Sequence, residues 1–203
     1  FEVLTAVAFK YFHDQGVDIA VIETGMGGIY DSTNVMKPLL SIITGIDHDH
    51  TDFLGSTLME IAANKAGIIK RGIPIVAGVM EGEALRVIEA KAESEGSQLI
   101  LSNQYKVYRL QAPSLEGQIL NIEGPDFYME GVKFSLLGDF QLNNLATVIS
   151  AIRILQGQGY NVQYQHIREA LTQLEMPGRL EIIQYNPLVI ADVAHNPQAA
   201  KAV

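Results

Sequence analysis

Aspartates and histidines alternate in the run Asp47-His48-Asp49-His50-Thr51, which follows an apolar segment. A carboxylate beside an imidazole fixes the tautomer of the ring, an arrangement common around bound metal ions. Glu23 follows another apolar segment and adds a further carboxylate. Because oxygen ligands outnumber nitrogens, this set favours Mg²⁺ over zinc. The alternative is a solvated polar loop, but Glu23 at the end of a neighbouring predicted strand favours a metal site.

Lys65 continues an apolar row on a predicted helix. Thr57 and Glu60 form a capping-box pattern, which predicts a helix from about residue 58 to 67. The earlier members of the row are Leu58, Ile61 and Ala62. Desolvation there would lower the pKa of the amine, and a neutral amine can form a carbamate with carbon dioxide. The pattern alone favours the simpler alternative, in which the stem packs and the ammonium reaches water.

Three later segments carry side chains suited to a nucleotide. Arg179 follows a Pro-Gly pair and could reach phosphates, although a lone Arg is usually a surface residue. In the run 192–197, Asp192 could accept from ribose hydroxyls and His195 could approach a phosphate. The alternative there is an Asx-type turn closed by the proline. Asn144 lies at the start of a predicted helix, where its amide could read adenine or simply cap.

The run Gly25-Met26-Gly27-Gly28 invites a dinucleotide-binding interpretation, because it follows an apolar segment. Its sixth position is Tyr30 rather than Gly and no apolar helix begins there, so that fingerprint is excluded. A Walker A loop is excluded as well, because the chain has no Gly-Lys-Ser/Thr. The pattern predicts a tight turn at the carboxyl end of a strand, the sheet edge at which α/β proteins bind ligands.

Helical and extended patterns alternate along most of the chain, which is typical of an α/β fold with a parallel, doubly wound sheet. A buried strand is predicted at 17–22, and further strands at 39–44, 73–76 and 98–101. Helices are predicted at 1–14, 58–67 and 81–95, and a polar loop at 45–56. Short strands at 105–110, 118–122 and 132–136 indicate a small antiparallel subsheet. Helices at 140–156 and 163–174, strands at 180–185 and 188–191, and a helix opening at Pro197 complete the prediction.

Composition excludes several classes of protein. The chain has 203 residues, 48% of them hydrophobic, which suits a globular core rather than disorder. It has no cysteine, so disulfides and thiolate metal sites are excluded. A net charge of −9 without a basic patch argues against nucleic-acid binding. No apolar run approaches the roughly 20 residues that span a bilayer.

In their order and spacing, these segments resemble the folylpolyglutamate and dihydrofolate synthases of the Mur ligase family. The matching blocks are Phe1 to Ala6, Glu23 to Gly28, Asp31 to Val35, Asp49 to Thr51, Leu54-Gly55, Ile61-Ala62, Lys65 to Ile68, Gln141 with Asn144, Pro177 to Glu181, and Asp192 to Pro197. The resemblance implies a central ATPase domain over 1–176, with a mostly parallel sheet, helices and the small antiparallel subsheet. Residues 177–203 would then be a linker and the beginning of a C-terminal α/β ligase domain.

The resemblance also implies an activity for the intact protein. ATP would phosphorylate a carboxylate of a folate or of dihydropteroate, and the amine of L-glutamate would displace the phosphate to form an amide. The family's phosphate-binding loop precedes the first helix and is not in this sequence, so we expect the chain by itself to be inactive. We expect a cytoplasmic monomer that binds neither nucleic acid nor membrane.

By the same resemblance, several residues acquire roles. Glu23 would bind the Mg²⁺ that bridges the ATP phosphates, and His50 would bind a second Mg²⁺ near the acyl phosphate. Lys65 matches the family's carbamylated lysine, so the resemblance favours the carbamate. The implied nucleotide contacts are Asn144 to adenine, Asp192 to ribose, and Arg179 and His195 to phosphates.

Four positions depart from the family's usual Arg, Glu, His and Gly: Ile29, Asn64, Phe140 and Val193. Three alternatives to a folate ligase stay open: a murein-precursor ligase acting on a UDP-linked substrate, a non-catalytic nucleotide-binding relative, and a plain structural α/β domain. The opening block 1–6 favours a folate ligase over a murein-precursor ligase. The joint presence of Glu23, His50 and Lys65 favours catalysis over binding alone.

Overall fold

The computed structural model describes residues 1–48, 51–195 and 197–203. The chain divides into two compact units, Phe1–Ile100 and Leu101–Val203. The domain boundary expected between residues 176 and 177 stays a prediction. No helix within the described ranges is long and apolar enough to cross a membrane.

The first unit is built around a three-stranded sheet. Its strands are β1 (Ser41–Ile43), β2 (Ile75–Ala77) and β3 (Leu99–Leu101), in the order β1-β2-β3, and β1 runs parallel to β2. Its helices are α1 (Glu2–Gln15), α2 (Thr51–Leu54), α3 (Leu58–Lys65) and α4 (Gly82–Ser94), with 3₁₀ turns at Ser32–Val35 and Ala66–Ile68. Helix α3 packs against α4. The core of this unit contains the fully buried side chains Ile61, Ile75, Val76 and Ile88.

The start of α3 is fixed by its capping box. The Glu60 backbone N–H donates to the Thr57 hydroxyl (3.2 Å), and the Thr57 backbone N–H donates to Oε2 of Glu60 (3.0 Å). The hydrogen bond from the Thr57 backbone, with others from the Thr57 hydroxyl and from Ser56, holds the pKa of Glu60 below its ordinary value of 4.5. The predicted helix is confirmed, and it ends at Lys65 rather than at residue 67.

One predicted strand is wrong. Residues 17–22 form no strand, because a strand needs a hydrogen-bonded neighbour and no described segment pairs with them. Val17 and Ile19 are each 45% exposed and Val21 is 94% exposed, so the buried setting predicted for this apolar run is wrong as well. The loop predicted at 45–56 contains the short helix α2.

The second unit begins with an antiparallel sheet. Strands β4 (Lys106–Arg109), β5 (Gln118–Gly124) and β6 (Phe127–Phe134) pair in that order, and helices α5 (Phe140–Gly157) and α6 (Tyr164–Gln173) follow. Strand β6 alternates buried and exposed side chains on either side of a register irregularity. Its inward side chains join those of α5 and α6 in one core, which includes Phe127, Met129, Val132, Phe134, Leu145, Ile149 and Ile167. The predicted antiparallel subsheet is confirmed.

The chain continues with an antiparallel hairpin and a short helix. Strand β7 (Glu181–Tyr185) pairs with β8 (Leu188–Ala191), and α7 (Pro197–Ala202) follows. These bounds confirm the two strands and the helix predicted from the sequence. A parallel pair in the first unit and antiparallel pairs in the second agree with the predicted α/β fold with its antiparallel subsheet.

Candidate active site

The glycine-rich loop, residues 24–36, lies against the end of α3 and the turn that follows it. The Ile29 backbone N–H donates to the Asn64 carbonyl (3.1 Å). The Asn34 side-chain amide donates to the Gly67 carbonyl (3.1 Å). These hydrogen bonds join segments far apart in sequence, so they fix where the loop lies on α3.

Gly28 lies directly against the backbone at the end of α3. A Cβ at this position would lie 2.7 Å from the Asn64 carbonyl oxygen and 2.8 Å from that of Lys65. Backbone atoms cannot move aside as a flexible side chain can, so glycine is required here. The loop that follows Glu23 is therefore fixed beside the backbone of Lys65.

Asp31 organises the loop from within. One carboxylate oxygen accepts from the Met26 backbone N–H (2.8 Å), and the other accepts from the Thr33 N–H (2.9 Å). Burial raises the pKa of Asp31, but hydrogen bonds from Thr33, Met26 and Gly25 outweigh burial and hold the pKa below its ordinary value. Asp31 is therefore charged at neutral pH and serves as an acceptor for the loop's backbone.

Helix α1 also contacts this loop. The Thr5 and Ser32 hydroxyls share a hydrogen bond of 2.9 Å, and Thr5 is only 8% exposed. The Phe1 ring lies so close to Gly25 that an added Cβ would be 2.3 Å from it. The opening block of the chain therefore positions the loop, a role that sequence reasoning missed. The signal that could have shown it is a Thr set among the apolar residues of a helix.

The side chains predicted to lie at a metal site differ in their exposure to solvent. Glu23 is exposed and Lys65 is half-buried, and neither side chain forms a hydrogen bond or ion pair with another described residue. His48 is exposed, and its backbone N–H donates to Oδ1 of Asp47 (2.7 Å). His50 lies outside the described residues, so its predicted role stays a prediction.

Among the described residues, the exposed carboxylate of Glu23 is suited to binding a Mg²⁺ ion. In the ranges that the structure describes, no three His, Asp or Glu side chains lie close enough together to hold a metal ion by themselves. Mg²⁺ keeps several of its waters and is usually bound by one or two carboxylates together with substrate phosphates. Glu23 is available for such a role, because its carboxylate is exposed and not engaged by any described residue.

In the second unit, Asp192 joins the segment after β8 to the turn at 177–181. Its Oδ2 accepts from the Leu180 backbone N–H (2.9 Å), and its Oδ1 accepts from the Ala194 N–H (2.7 Å). The second of these is the Asx-type turn that the sequence offered as an alternative. The first extends to the segment that carries Arg179, so the structure brings two of the predicted nucleotide segments together.

Arg179 and His195 lie on these two segments. The segments are also joined by the Val193 N–H, which donates to the Gly178 carbonyl (2.8 Å). Nδ1 of His195 lies 3.0 Å from the Val193 carbonyl, which can only accept, so Nδ1 donates and Nε2 is left for another partner. Both Arg179 and His195 are exposed, as contact with a ligand requires.

Asn144 is exposed near the start of α5 and is held by a buried partner. Its Nδ2 donates to Oε1 of Gln141 (3.0 Å). Gln141 is only 2% exposed, and its Nε2 has no hydrogen-bond partner in the described part of the chain. The buried Gln141 amide therefore fixes the orientation of Asn144, a role that its place in the sequence pattern did not reveal.

The four positions that depart from the family's pattern share one setting, in which each side chain lies against a glycine. A Cβ added to that glycine would fall 2.3 to 2.7 Å from the neighbouring side chain. The pairs are Asn64 with Gly27, Ile29 with Gly67, Phe140 with Gly138, and Val193 with Gly178. The departures therefore fill space that glycine leaves open.

Comparison with known proteins identifies the family of this chain. The profile of the Mur ligase middle domain matches residues 3–152, and the chain belongs to the Mur ligase family. It is 39% identical to the dihydrofolate synthase/folylpolyglutamate synthase of Bacillus subtilis (strain 168), over 99% of this chain and 47% of that protein.

Solved structures agree with this assignment. A structure described as an FPGS-AMPPCP-folate complex gives a TM-score of 0.93 at 38% identity, covering 98% of this chain and 49% of that one. The Mycobacterium tuberculosis folylpolyglutamate synthase complexed with ADP and AMPPCP gives a TM-score of 0.91 at 33% identity, covering 100% and 46%. The Mur-ligase-type fold predicted from the sequence is confirmed. The chain spans about half the length of these relatives.

Proposed function

We propose that the protein carrying this chain is an ATP-dependent amide ligase that adds L-glutamate to a folate or to dihydropteroate. The observation that carries the proposal is the likeness of nearly the whole chain to a structure holding AMPPCP, an ATP analogue, and folate. The folate-ligase relatives favour this substrate class over a murein precursor, which the family profile by itself would also allow.

The reaction has two steps. A carboxylate oxygen of the folate attacks the γ-phosphorus of ATP, which breaks the bond to ADP and gives an acyl phosphate. The amine of glutamate then attacks the acyl carbon, the carbon–nitrogen bond forms, and phosphate leaves while the nitrogen loses a proton. Both steps depend on positioning the reactants and on neutralising phosphate charge, rather than on elaborate covalent chemistry by the protein.

The first unit would supply the residues that hold the metal ions. Glu23 and His50 would bind two Mg²⁺ ions, which neutralise phosphate charge. Lys65 would act as a carbamate, and its half-buried position at the end of α3 suits an amine that is partly removed from water. Since this chain carries a net charge of −9, its own overall field does not attract ATP, and local positive charge of this kind must do so.

The second unit would supply contacts to the nucleotide. Asn144 would contact adenine, and Asp192 would accept from the ribose hydroxyls. Arg179 and His195 would bind phosphates, a role supported by the exposure of both side chains. The Arg179 guanidinium forms no ion pair with a described carboxylate, so all of its donors are available.

The organisation of the intact protein is part of the proposal. Residues 1–176 would belong to the central ATPase domain, and residues 177–203 would begin the C-terminal ligase domain. The intact protein would be a cytoplasmic monomer.

The experiment that tests the reaction follows oxygen atoms through the full-length protein. A folate whose reacting carboxylate carries oxygen-18 is incubated with ATP, Mg²⁺ and L-glutamate, and the released phosphate is analysed by mass spectrometry. An acyl phosphate delivers a carboxylate oxygen to the phosphate, so label is expected there together with the new amide. Amide formation with unlabelled phosphate would contradict the acyl phosphate, and the absence of amide would contradict the ligase.

A further inference from the structure

Leu180 adopts a left-handed backbone conformation, with a φ of 47°. Such a conformation is uncommon for any residue other than glycine, because Cβ crowds the backbone. Gly178 also has a positive φ, 71°, so Arg179 lies between two left-handed residues. The turn that presents Arg179 is therefore one that the chain does not favour by itself, and neighbouring contacts must stabilise it.

Asp192 makes a hydrogen bond that stabilises the strained conformation of Leu180. Its Oδ2 accepts from the N–H of Leu180 itself (2.9 Å). Its other oxygen accepts from the Ala194 N–H, which fixes the direction of the carboxylate. Glu181 supports the other end of the turn, since its Oε2 accepts from the Gly178 N–H (2.7 Å). Both oxygens of Asp192 therefore accept hydrogen bonds from the backbone.

We propose that Asp192 is a positioning residue for Arg179: by accepting from Leu180, it holds the left-handed turn that presents the guanidinium to a polyphosphate. The proposal rests on the proposed function, because that function assigns phosphate to Arg179. It goes beyond a ribose contact, because the effect of Asp192 is transmitted through the turn. If Asp192 acted only through a ribose contact, its effect on nucleotide binding would not depend on the conformation of Leu180.

A double-mutant cycle in the full-length protein separates these two roles. Glycine adopts positive φ without strain, so Leu180→Gly removes the need for a residue that enforces the turn. We expect Asp192→Ala to raise the KM for ATP about tenfold, as loss of a hydrogen bond to a charged acceptor does. In the Leu180→Gly background the same change should raise it no more than about threefold. Equal effects in both backgrounds would overturn the positioning role and leave the ribose contact as the whole contribution of Asp192.

Amide hydrogen exchange gives a readout that does not depend on activity. The Leu180 N–H should be protected in the wild-type protein, exchange faster in Asp192→Ala, and be intermediate in Asp192→Asn, which keeps one acceptor oxygen. The matched control is Asp126→Asn, an exposed aspartate with a φ of 53° in the same unit, which should change neither exchange nor KM.

The two readouts also separate the two proposals. An unprotected Leu180 amide in the wild-type protein would overturn the positioning role whatever the activity. A protected amide in a protein without ligase activity would contradict the proposed function. It would still support the stabilisation of the turn by Asp192.

Discussion

The Thr5 and Ser32 hydroxyls, 2.9 Å apart, join α1 to the glycine-rich loop. Thr5→Val removes this hydrogen bond with little change of shape. We expect it to lower the free energy of unfolding of the full-length protein by about 1 kcal/mol, because Thr5 is buried. Urea denaturation measures this change. Ser32→Ala completes a double-mutant cycle, and strictly additive effects would show that the two hydroxyls do not interact.

Substitution of Lys65 distinguishes the two roles that the sequence left open for its amine, a carbamate and an ammonium that reaches water. If its amine works as a carbamate, Lys65→Ala should lower ligase activity on the order of a hundredfold, the scale seen when one group that stabilises transition-state charge is removed. Added acetate or formate should then restore part of the activity, since a small carboxylate can occupy the vacated place.

Lys106→Ala is the matched control for this rescue, because Lys106 is an exposed lysine on β4. Its activity should be unchanged with or without the carboxylate. Loss of activity in Lys65→Ala without any rescue would contradict the carbamate and favour an ammonium that extends to water.

The packing of the glycine-rich loop against helix α3 depends on Gly28. Gly28→Ala places a Cβ 2.7 Å from a backbone oxygen, so the loop or the helix must shift. We expect destabilisation of about 1–3 kcal/mol, the usual range for overpacking, measured by thermal or urea unfolding of the full-length protein. Gly45→Ala is the control, because an added Cβ there meets no atom within 4 Å. Equal effects of the two substitutions would contradict the close packing.

The capping box of α3 makes a prediction about pH. The pKa of Glu60 is below its ordinary value of 4.5 in the folded protein, chiefly because of the hydrogen bond from the Thr57 backbone. Its contribution to stability is therefore fully present above pH 4.5 and is lost as pH falls through the lower folded-state pKa. Glu60→Gln should make unfolding less dependent on pH across this acidic window.

The matched control for Glu60 is Glu89→Gln, because the exposed Glu89 carboxylate on α4 forms no hydrogen bond with a described residue. It should keep the pH dependence of the wild-type protein, measured as the urea midpoint at several acidic pH values. A Glu60→Gln profile that matches the wild-type profile would contradict the role of the capping box.

Elements fixed by local signals could be predicted from the sequence, and those that depend on distant partners could not. The start of α3 was predictable because Thr57 and Glu60 are three residues apart and satisfy each other. The strand expected at 17–22 failed because apolar character predicts burial but does not supply a hydrogen-bonded neighbour.

The same distinction applies to the candidate site. Single residues such as Arg179 were found by motif, whereas their supports are hydrogen bonds between distant parts of the chain. Asp192 accepts from Leu180, twelve residues earlier, and Thr5 bonds Ser32, twenty-seven residues later. No local spacing rule connects such pairs, so only the fold reveals them.

For the whole molecule, the assignment rests on the family and its relatives rather than on any one motif. The sequence has no Walker A loop, and the described residues contain no ready cluster of metal ligands. The family profile nevertheless covers residues 3–152, and folate-ligase relatives align with nearly the whole chain. The ligase activity proposed for the whole protein therefore depends on this family membership.

Ligation of L-glutamate by the full-length protein with ATP and Mg²⁺ is the direct test of the proposed activity. Dihydropteroate and a reduced folate are supplied in separate reactions, the amide product is identified by mass, and phosphate release is followed. We expect amide formation with at least one of the two, dependent on ATP and accompanied by an equal amount of phosphate. A folded protein that forms neither product under these conditions would contradict the proposed ligase activity.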